Sequence, residues 1–288
     1  MTDVLQRYLE GEFAPHIALM ALFIDCDSEA GARDKLACAI RDAGPVANAK
    51  LVGLQELWDR SPESYSVVSK INRLARTGQH ASGERVRDYR KAFDQAVSIS
   101  SVASVALYSL GSPNLLDSIT SEIVALMQQW ELFGPKSVIA EVGCGTGRFL
   151  RFLAPCVSAI IGMDISGEML RCASGVLRNF TNILLVQVAG TDLSMLRHDT
   201  FDLVLAIDSF PYIVDAGAAD AHFRDCTRIL APRGRMLLMN FEYDSDLQLQ
   251  QERIATLATT YGLAVLRNGT RDLRSWDGRS FLLQKRAT

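Results

Sequence analysis

The residues best arranged for chemistry are Glu141-Val142-Gly143-Cys144-Gly145-Thr146-Gly147-Arg148. They follow the short apolar run Ser137-Val138-Ile139-Ala140 and precede a helical pattern. Glycines where a strand passes into a helix permit a tight turn and close approach of backbone to a ligand. The helix start adds unpaired N–H groups and the positive end of a dipole, which suit a carboxylate. A glycine turn without a ligand, with Glu141 merely solvated, is the alternative. The six cysteines (Cys26, Cys38, Cys144, Cys156, Cys172 and Cys226) form no Cys-x-x-Cys pair and no metal-ligand spacing with the four histidines. Reduced, partly buried thiols and no metal site are expected.

The third position of a dinucleotide fingerprint is Arg148 rather than glycine, so the spacing is Gly-x-Gly-x-Gly with an acidic residue two places ahead. This resembles the first motif of the class I S-adenosylmethionine (SAM)-dependent methyltransferases. Further segments resemble the same family in order. Gly162-Met163-Asp164-Ile165-Ser166 ends a second apolar run, with Asp164 about 20 residues beyond the first glycine, where a carboxylate accepts ribose hydroxyls. Asp164 is equally placed to cap a helix. The helix through Glu168-Met169-Leu170 is similar to the family's, and Val188-Ala189-Gly190-Thr191-Asp192-Leu193 looks like its turn around the adenine. Asp192 either meets the adenine amino group or caps a helix. Phe201-Asp202-Leu203-Val204 resembles the fourth strand, and Arg228 to Arg235 the turn before the fifth, with Arg233 replacing a glycine. The resemblance covers about half the chain, from Val138 to Phe241. It implies SAM as cofactor, S-adenosylhomocysteine as product, and a cradle of Glu141, Gly143, Gly145, Gly147, Asp164, Ile165, Met169, Thr191, Asp192 and Asp208.

In such a fold the end of the fourth strand, Asp208-Ser209-Phe210-Pro211-Tyr212, faces the reacting methyl. Its last four residues partly resemble the Asn/Ser/Asp-Pro-Pro-Tyr motif of amino-group methyltransferases, with Phe210 in place of a proline. Tyr212 and Asp208 are the catalytic candidates; a plain structural turn with Tyr212 in the core is the alternative. Methyl transfer depends mostly on alignment, and a base helps only if the acceptor must lose a proton. Asp208, Tyr212 and His222 are candidates for that base. Tyr108 is either part of a cover over the cofactor or a core aromatic.

The elements that must position these residues change character midway. Up to about Phe133, apolar residues recur at helical spacing. Ser28 caps one helix, which stops at Gly44-Pro45, and Ser61-Pro62-Glu63 starts another. Thr77 to Arg87 reads as a loop. Asn114 is placed to cap an amphipathic helix through Leu116, Ile119, Ile123 and Met127. From Lys136 onward apolar runs alternate with helical segments at Arg148 to Leu153, Gly167 to Leu177 and Ala218 to Leu230. The runs begin near Val138, Ala159, Ile183, Phe201, Arg235, Leu263 and Phe281. That alternation predicts an α/β fold: a doubly wound, mostly parallel, seven-stranded sheet with an N-terminal helical extension or lid. The expected division is a helical region over 1–133, serving as lid, substrate pocket or dimer surface, and a SAM-binding Rossmann-like domain over 134–288.

The chain has 288 residues, 48% hydrophobic and 22% charged, which allows a sizeable core and excludes wholly disordered or collagen-like readings. A net charge of −3 lacks the footprint of a nucleic-acid binder. The apolar stretch Ile17 to Ile24 is far shorter than the roughly 20 residues that span a bilayer, and Met1 to Arg7 does not read as a signal peptide. A cytoplasmic monomer or homodimer with no nucleic-acid or membrane partner is expected. Its function reads as methyl transfer to a small-molecule acceptor at an amine or hydroxyl. Two alternatives remain at this level: a SAM-consuming cyclase or lyase releasing methylthioadenosine, and a non-catalytic SAM-binding or scaffold protein.

Overall fold

The computed structural model describes residues 2–77, 85–243 and 246–286. They form two compact units. The first unit comprises Met1–Gln79, Gln95–Ile119 and Arg274–Asp277; the second comprises His80–Asp94, Thr120–Leu273 and Gly278–Thr288.

The first unit is helical. It contains α1 (Asp3–Leu9), α2 (Pro15–Ile24), α3 (Glu29–Asp42), α4 (Pro45–Asp59) and α5 (Ser64–Thr77). The later part of α6 (Arg85–Ile99) and the start of α7 (Pro113–Gln129) belong to it as well. Ile17, Ala18, Leu19, Leu22 and Phe23 of α2 are all buried, so this helix is apolar around most of its circumference and forms the unit's centre. Phe23 packs on Trp58 at 4.7 Å and on Tyr65 at 5.4 Å between ring centroids. Ser28 caps α3 as expected, its Oγ accepting from Gly31 N at 3.1 Å. The Gly44-Pro45 stop also starts α4, with Gly44 as cap and Pro45 in the first turn.

Three local expectations need correction. Ser61-Pro62-Glu63 forms a turn closed by Ser64 N on Ser61 O, and the helix begins only at Ser64. Ser112, not Asn114, caps α7: its Oγ accepts from Leu115 N at 3.3 Å, because Pro113 at the first helical position fixes the start two residues earlier. The expected loop over Thr77 to Arg87 is helical at both described ends, with Thr77 in α5 and Arg85, Val86 and Arg87 in α6. Residues 78–84 of that loop lie outside the described residues. Val86, Tyr89 and Phe93 recur at helical spacing, but the charges between them hide the stripe.

The second unit holds a seven-stranded sheet in the order β3-β2-β1-β4-β5-β7-β6. Its strands are β1 (Val138–Val142), β2 (Ala159–Asp164), β3 (Ile183–Gln187), β4 (Phe201–Ile207), β5 (Leu230–Met239), β6 (Leu263–Arg271) and β7 (Arg279–Lys285). The first five are mutually parallel, and β7 runs antiparallel between β5 and β6. Helices α8 (Arg148–Leu153), α9 (Gly167–Leu177), α10 (Phe210–Asp215), α11 (Ala219–Ile229) and α12 (Leu247–Thr260) accompany the strands. The core joins Ala140, Val142, Val204, Ala206, Met236 and Leu238 of the strands to Phe210, Phe223 and Ile254 of the helices. The chain order reverses at β1, whose neighbours are β2 and β4. Ligands of such sheets lie beyond the strand ends at that crevice. Among the described residues no helix is long and apolar enough to cross a membrane.

Candidate functional site

At the crevice the β1 turn is drawn onto its neighbours from both sides. Gly143 N and Cys144 N both donate to Met163 O, at 2.8 and 2.9 Å. Gly143 has φ +75°, and a Cβ there would lie 2.3 Å from Ser209 Cβ. Ser209 Oγ in turn donates to Val142 O at 2.6 Å, which ties the end of β4 to the end of β1. Gly147 has φ +80° and faces Leu177 of α9, whose Cδ1 a Cβ would meet at 2.8 Å. These glycines are demanded by close packing as much as by any ligand.

Asp164 joins the turn to β2. Its Oδ2 accepts from Gly145 N and its Oδ1 from Ser166 N, each at 2.8 Å. Burial raises its affinity for a proton, while the N–H groups of Ser166, Gly145 and Ile165 oppose that. A carboxylate has about four lone-pair sites, so two backbone bonds leave acceptor capacity for hydroxyls. Glu141 is only 2% exposed, and its Oε2 has no hydrogen-bond partner. Its pKa is pushed up to about 8, chiefly by burial, against the opposing charge of Arg148 and with help from Asp164.

Beyond β3, Gly190 has φ +84°, and a Cβ would meet Ile165 Cγ2 at 2.7 Å and Val86 Cγ1 at 2.9 Å. Asp192 folds back on its own turn, accepting from Ser194 N and Oγ at 3.0 and 2.6 Å and from Thr191 Oγ1 at 3.1 Å. That is the geometry of a capping turn. Ser166 caps α9 by accepting from Met169 N at 3.0 Å, and its hydroxyl donates to Asp94 Oδ1 at 2.5 Å. Met169 is buried beneath this cap.

The first part of α6, within the second unit, therefore lies along the strand ends. Val86 packs beside Gly190, and Asp94 holds Ser166. Arg85 pairs with the Asp215 carboxylate, and Tyr89 OH donates to the same group at 2.5 Å. From the sequence alone these residues fall in a loop or carry no assigned role. The 86, 89, 93 spacing was the signal that marks them. Tyr108, by contrast, is a buried aromatic of the first unit, packed against Trp276 with ring centroids 5.3 Å apart.

At the end of β4, Asp208 takes up φ +61°. Its N–H donates to Met239 O at 2.8 Å, and its Oδ1 accepts from Asn240 Nδ2 at 3.0 Å and Tyr243 OH at 2.7 Å. A non-glycine residue in this region is a strained feature that functional sites tolerate. Ser209 and Pro211 start α10, so the segment resembling an amino-methyltransferase motif is the first turn of a short helix. Tyr212 is half-buried among the rings of Tyr89, Phe93 and Tyr243. Burial, aided by Asp208, pushes its pKa up to about 12, so it is a neutral phenol near pH 7. His222 is in the core, its Nδ1–H donating to Ala218 O at 2.9 Å, and burial lowers its pKa.

Comparison with known proteins fits this geometry. Residues 139–234 match the family model of a methyltransferase domain. Over this stretch the chain is similar to the methyltransferase domains of class I SAM-dependent enzymes. A probable SAM-dependent methyltransferase of Saccharomyces cerevisiae is 27% identical over 107 residues, which is 36% of this chain and 35% of that protein. The fold is similar to that of phosphoethanolamine N-methyltransferase 1 from Haemonchus contortus, solved with phosphoethanolamine and S-adenosylhomocysteine. There the TM-score is 0.56 at 15% identity, covering 73% of this chain and 51% of that one. The matches thus span about a third and about half of the lengths of these two proteins.

The family's cofactor is SAM. The orphaned oxygen of Glu141 suits a ligand that brings a hydrogen-bonding cation, and SAM carries an ammonium group. The raised Glu141 pKa makes a separate prediction for this methyltransferase domain. An unfolded glutamate ionises near 4.5 and the folded one near 8. Between those values the native state holds a proton that the unfolded state has lost, so rising pH favours unfolding until about pH 8. Relative to Glu141→Gln, the ligand-free wild type is expected to lose stability from pH 5 to 8 and then level off. Parallel pH profiles in thermal unfolding of the two proteins would refute the buried, proton-holding carboxyl.

Proposed function

We propose that the chain transfers the methyl group of SAM to a small-molecule acceptor at an amine or hydroxyl. The observation that carries this reading is the Ser209 Oγ–Val142 O bond of 2.6 Å, which fixes the Asp208-to-Tyr212 edge against the glycine turn. Bound SAM supplies a methyl group already activated by its sulfonium.

The chain's own part is to bind, orient and exclude water. Glu141 and the backbone of Gly143, Gly145 and Gly147 hold the amino-acid end, and Asp164 holds the ribose. Ile165, Met169 and Thr191 frame the adenine, with Asp192 shaping the turn beside it. Asp208 and Tyr212 line the acceptor side. Tyr212, a neutral phenol, orients the acceptor rather than removing its proton. Alignment of this kind supplies much of the acceleration in transfer reactions. In the proposed division, residues 1–133 are the helical region that supplies the cover, and residues 134–288 are the SAM-binding domain. The cover is the Arg85–Asp94 part of α6. Free cysteines accord with a cytoplasmic setting, where thiols stay reduced. A monomer or homodimer is proposed.

The deciding test separates the nucleosides formed from SAM, first without and then with a metabolite extract. Acceptor-dependent S-adenosylhomocysteine is the expected result. Methylthioadenosine formed without acceptor would instead make the chain a cyclase or lyase, and no product at all would leave a binding protein. The cover has its own measurement. Amide exchange over residues 85–94 is expected to slow at least several-fold when S-adenosylhomocysteine binds. Protection restricted to the glycine turn would remove α6 from the site.

A further inference from the structure

We infer that the rings of Tyr89, Phe93, Tyr212 and Tyr243 form the acceptor subsite and that it takes a small cationic amine. The inference rests on the methyltransferase reading and narrows its acceptor. All four rings belong to the second unit, on α6, on α10 and after β5. Tyr212 makes edge contacts with Tyr89 and Phe93 at 5.0 Å each and with Tyr243 at 5.9 Å between centroids. None of the four is part of the buried core; three are half-buried and Tyr243 is 52% exposed. The neighbouring Phe210, Phe223, Phe241 and Phe281 are fully buried. A cluster of large aromatics left partly open at a strand-end crevice is a recognition surface rather than packing.

Its electrostatics select the ligand. Two carboxylates, Asp208 and Asp215, accept from hydroxyls of these rings, and Arg85 pairs with Asp215. Tyr243 OH donates to Asp208 at 2.7 Å and Tyr89 OH to Asp215 at 2.5 Å. A phenol that donates to a carboxylate is richer in π electrons, which strengthens its attraction for a cation. Ammonium groups over aromatic faces gain electrostatic attraction that a neutral hydroxyl compound of the same shape does not. The bound ammonium gives one proton to water. Its nitrogen lone pair then forms the new N–C bond as the C–S bond breaks, and that bond's electron pair stays on sulfur.

The test uses the full chain saturated with S-adenosylhomocysteine. Choline and its neutral isostere 3,3-dimethyl-1-butanol are titrated by calorimetry. Choline is expected to bind about tenfold or more tightly than the alcohol. Phe93→Leu and Tyr212→Leu are each expected to weaken choline about tenfold, and Phe93→Tyr to preserve it. Equal affinity for the two probes, or no choline binding by a chain that still binds S-adenosylhomocysteine, overturns this inference alone. Failure to bind S-adenosylhomocysteine overturns the methyltransferase reading beneath it.

Discussion

Asp164→Ala is expected to lose ligand affinity and thermal stability together. The carboxylate satisfies two buried N–H groups, of Gly145 and Ser166, and these hold the β1 turn against the end of β2. Leaving two buried donors unpaired costs about 2–4 kcal/mol. For a protein of this size that lowers Tm by roughly 3–7 °C. Loss of a charged acceptor for the ribose adds about 1.5–3 kcal/mol in binding, a roughly ten- to hundredfold weaker S-adenosylhomocysteine complex. Asp164→Asn keeps the shape and one acceptor oxygen, so it should recover part of the stability and little of the affinity. Thermal unfolding and calorimetry on all three proteins separate the two effects. Wild-type affinity in a folded Asp164→Ala variant would remove Asp164 from the ribose site.

Gly143→Ala is expected to be worse for stability. Its φ of +75° costs a side chain about 1–2 kcal/mol, and its Cβ would lie 2.3 Å from Ser209 Cβ, so one of the two strand ends must move. Overpacking of this kind adds about 1–3 kcal/mol. Ser209→Gly removes the obstructing atom but also the bond to Val142 O. The double variant is therefore expected to recover the packing cost but not the backbone cost, giving a coupling of about 1–3 kcal/mol in a double-mutant cycle. Additive effects would show that the two positions do not press on each other.

The strand–turn–helix around Glu141 was legible because its signals are local: an apolar run, glycines at fixed offsets, then a helical pattern. The same holds for the other strands of the sheet, and Ser28 at the start of α3 carries its cap in its own residue type. Residues whose role depends on distant partners were not legible. Val86, Tyr89 and Asp94 look like part of a polar stretch, and only the fold brings them to Gly190, Asp215 and Ser166. Tyr243 gives no sequence sign of reaching Asp208, because the meeting depends on the positive φ of Asp208 and Asn240 at two adjacent strand ends. Glu141 was visible as an acidic residue, but its depth and its missing partner are properties of packing.

The way the chain passes between the two units bears on how it is made. The helical unit is begun first, yet it includes Arg274–Asp277 from the β6–β7 connection, and Trp276 supplies the ring against which Tyr108 packs. The sheet unit likewise takes in His80–Asp94 from between two stretches of the helical one. The helical unit is therefore incomplete until Arg274–Asp277 is made, whereas the segment the sheet unit takes in is already present when its strands emerge. Contacts of such long sequence separation form late and slowly. Nascent chains halted before β7 are therefore expected to hold Tyr108 exposed and to depend on chaperones until synthesis passes Trp276.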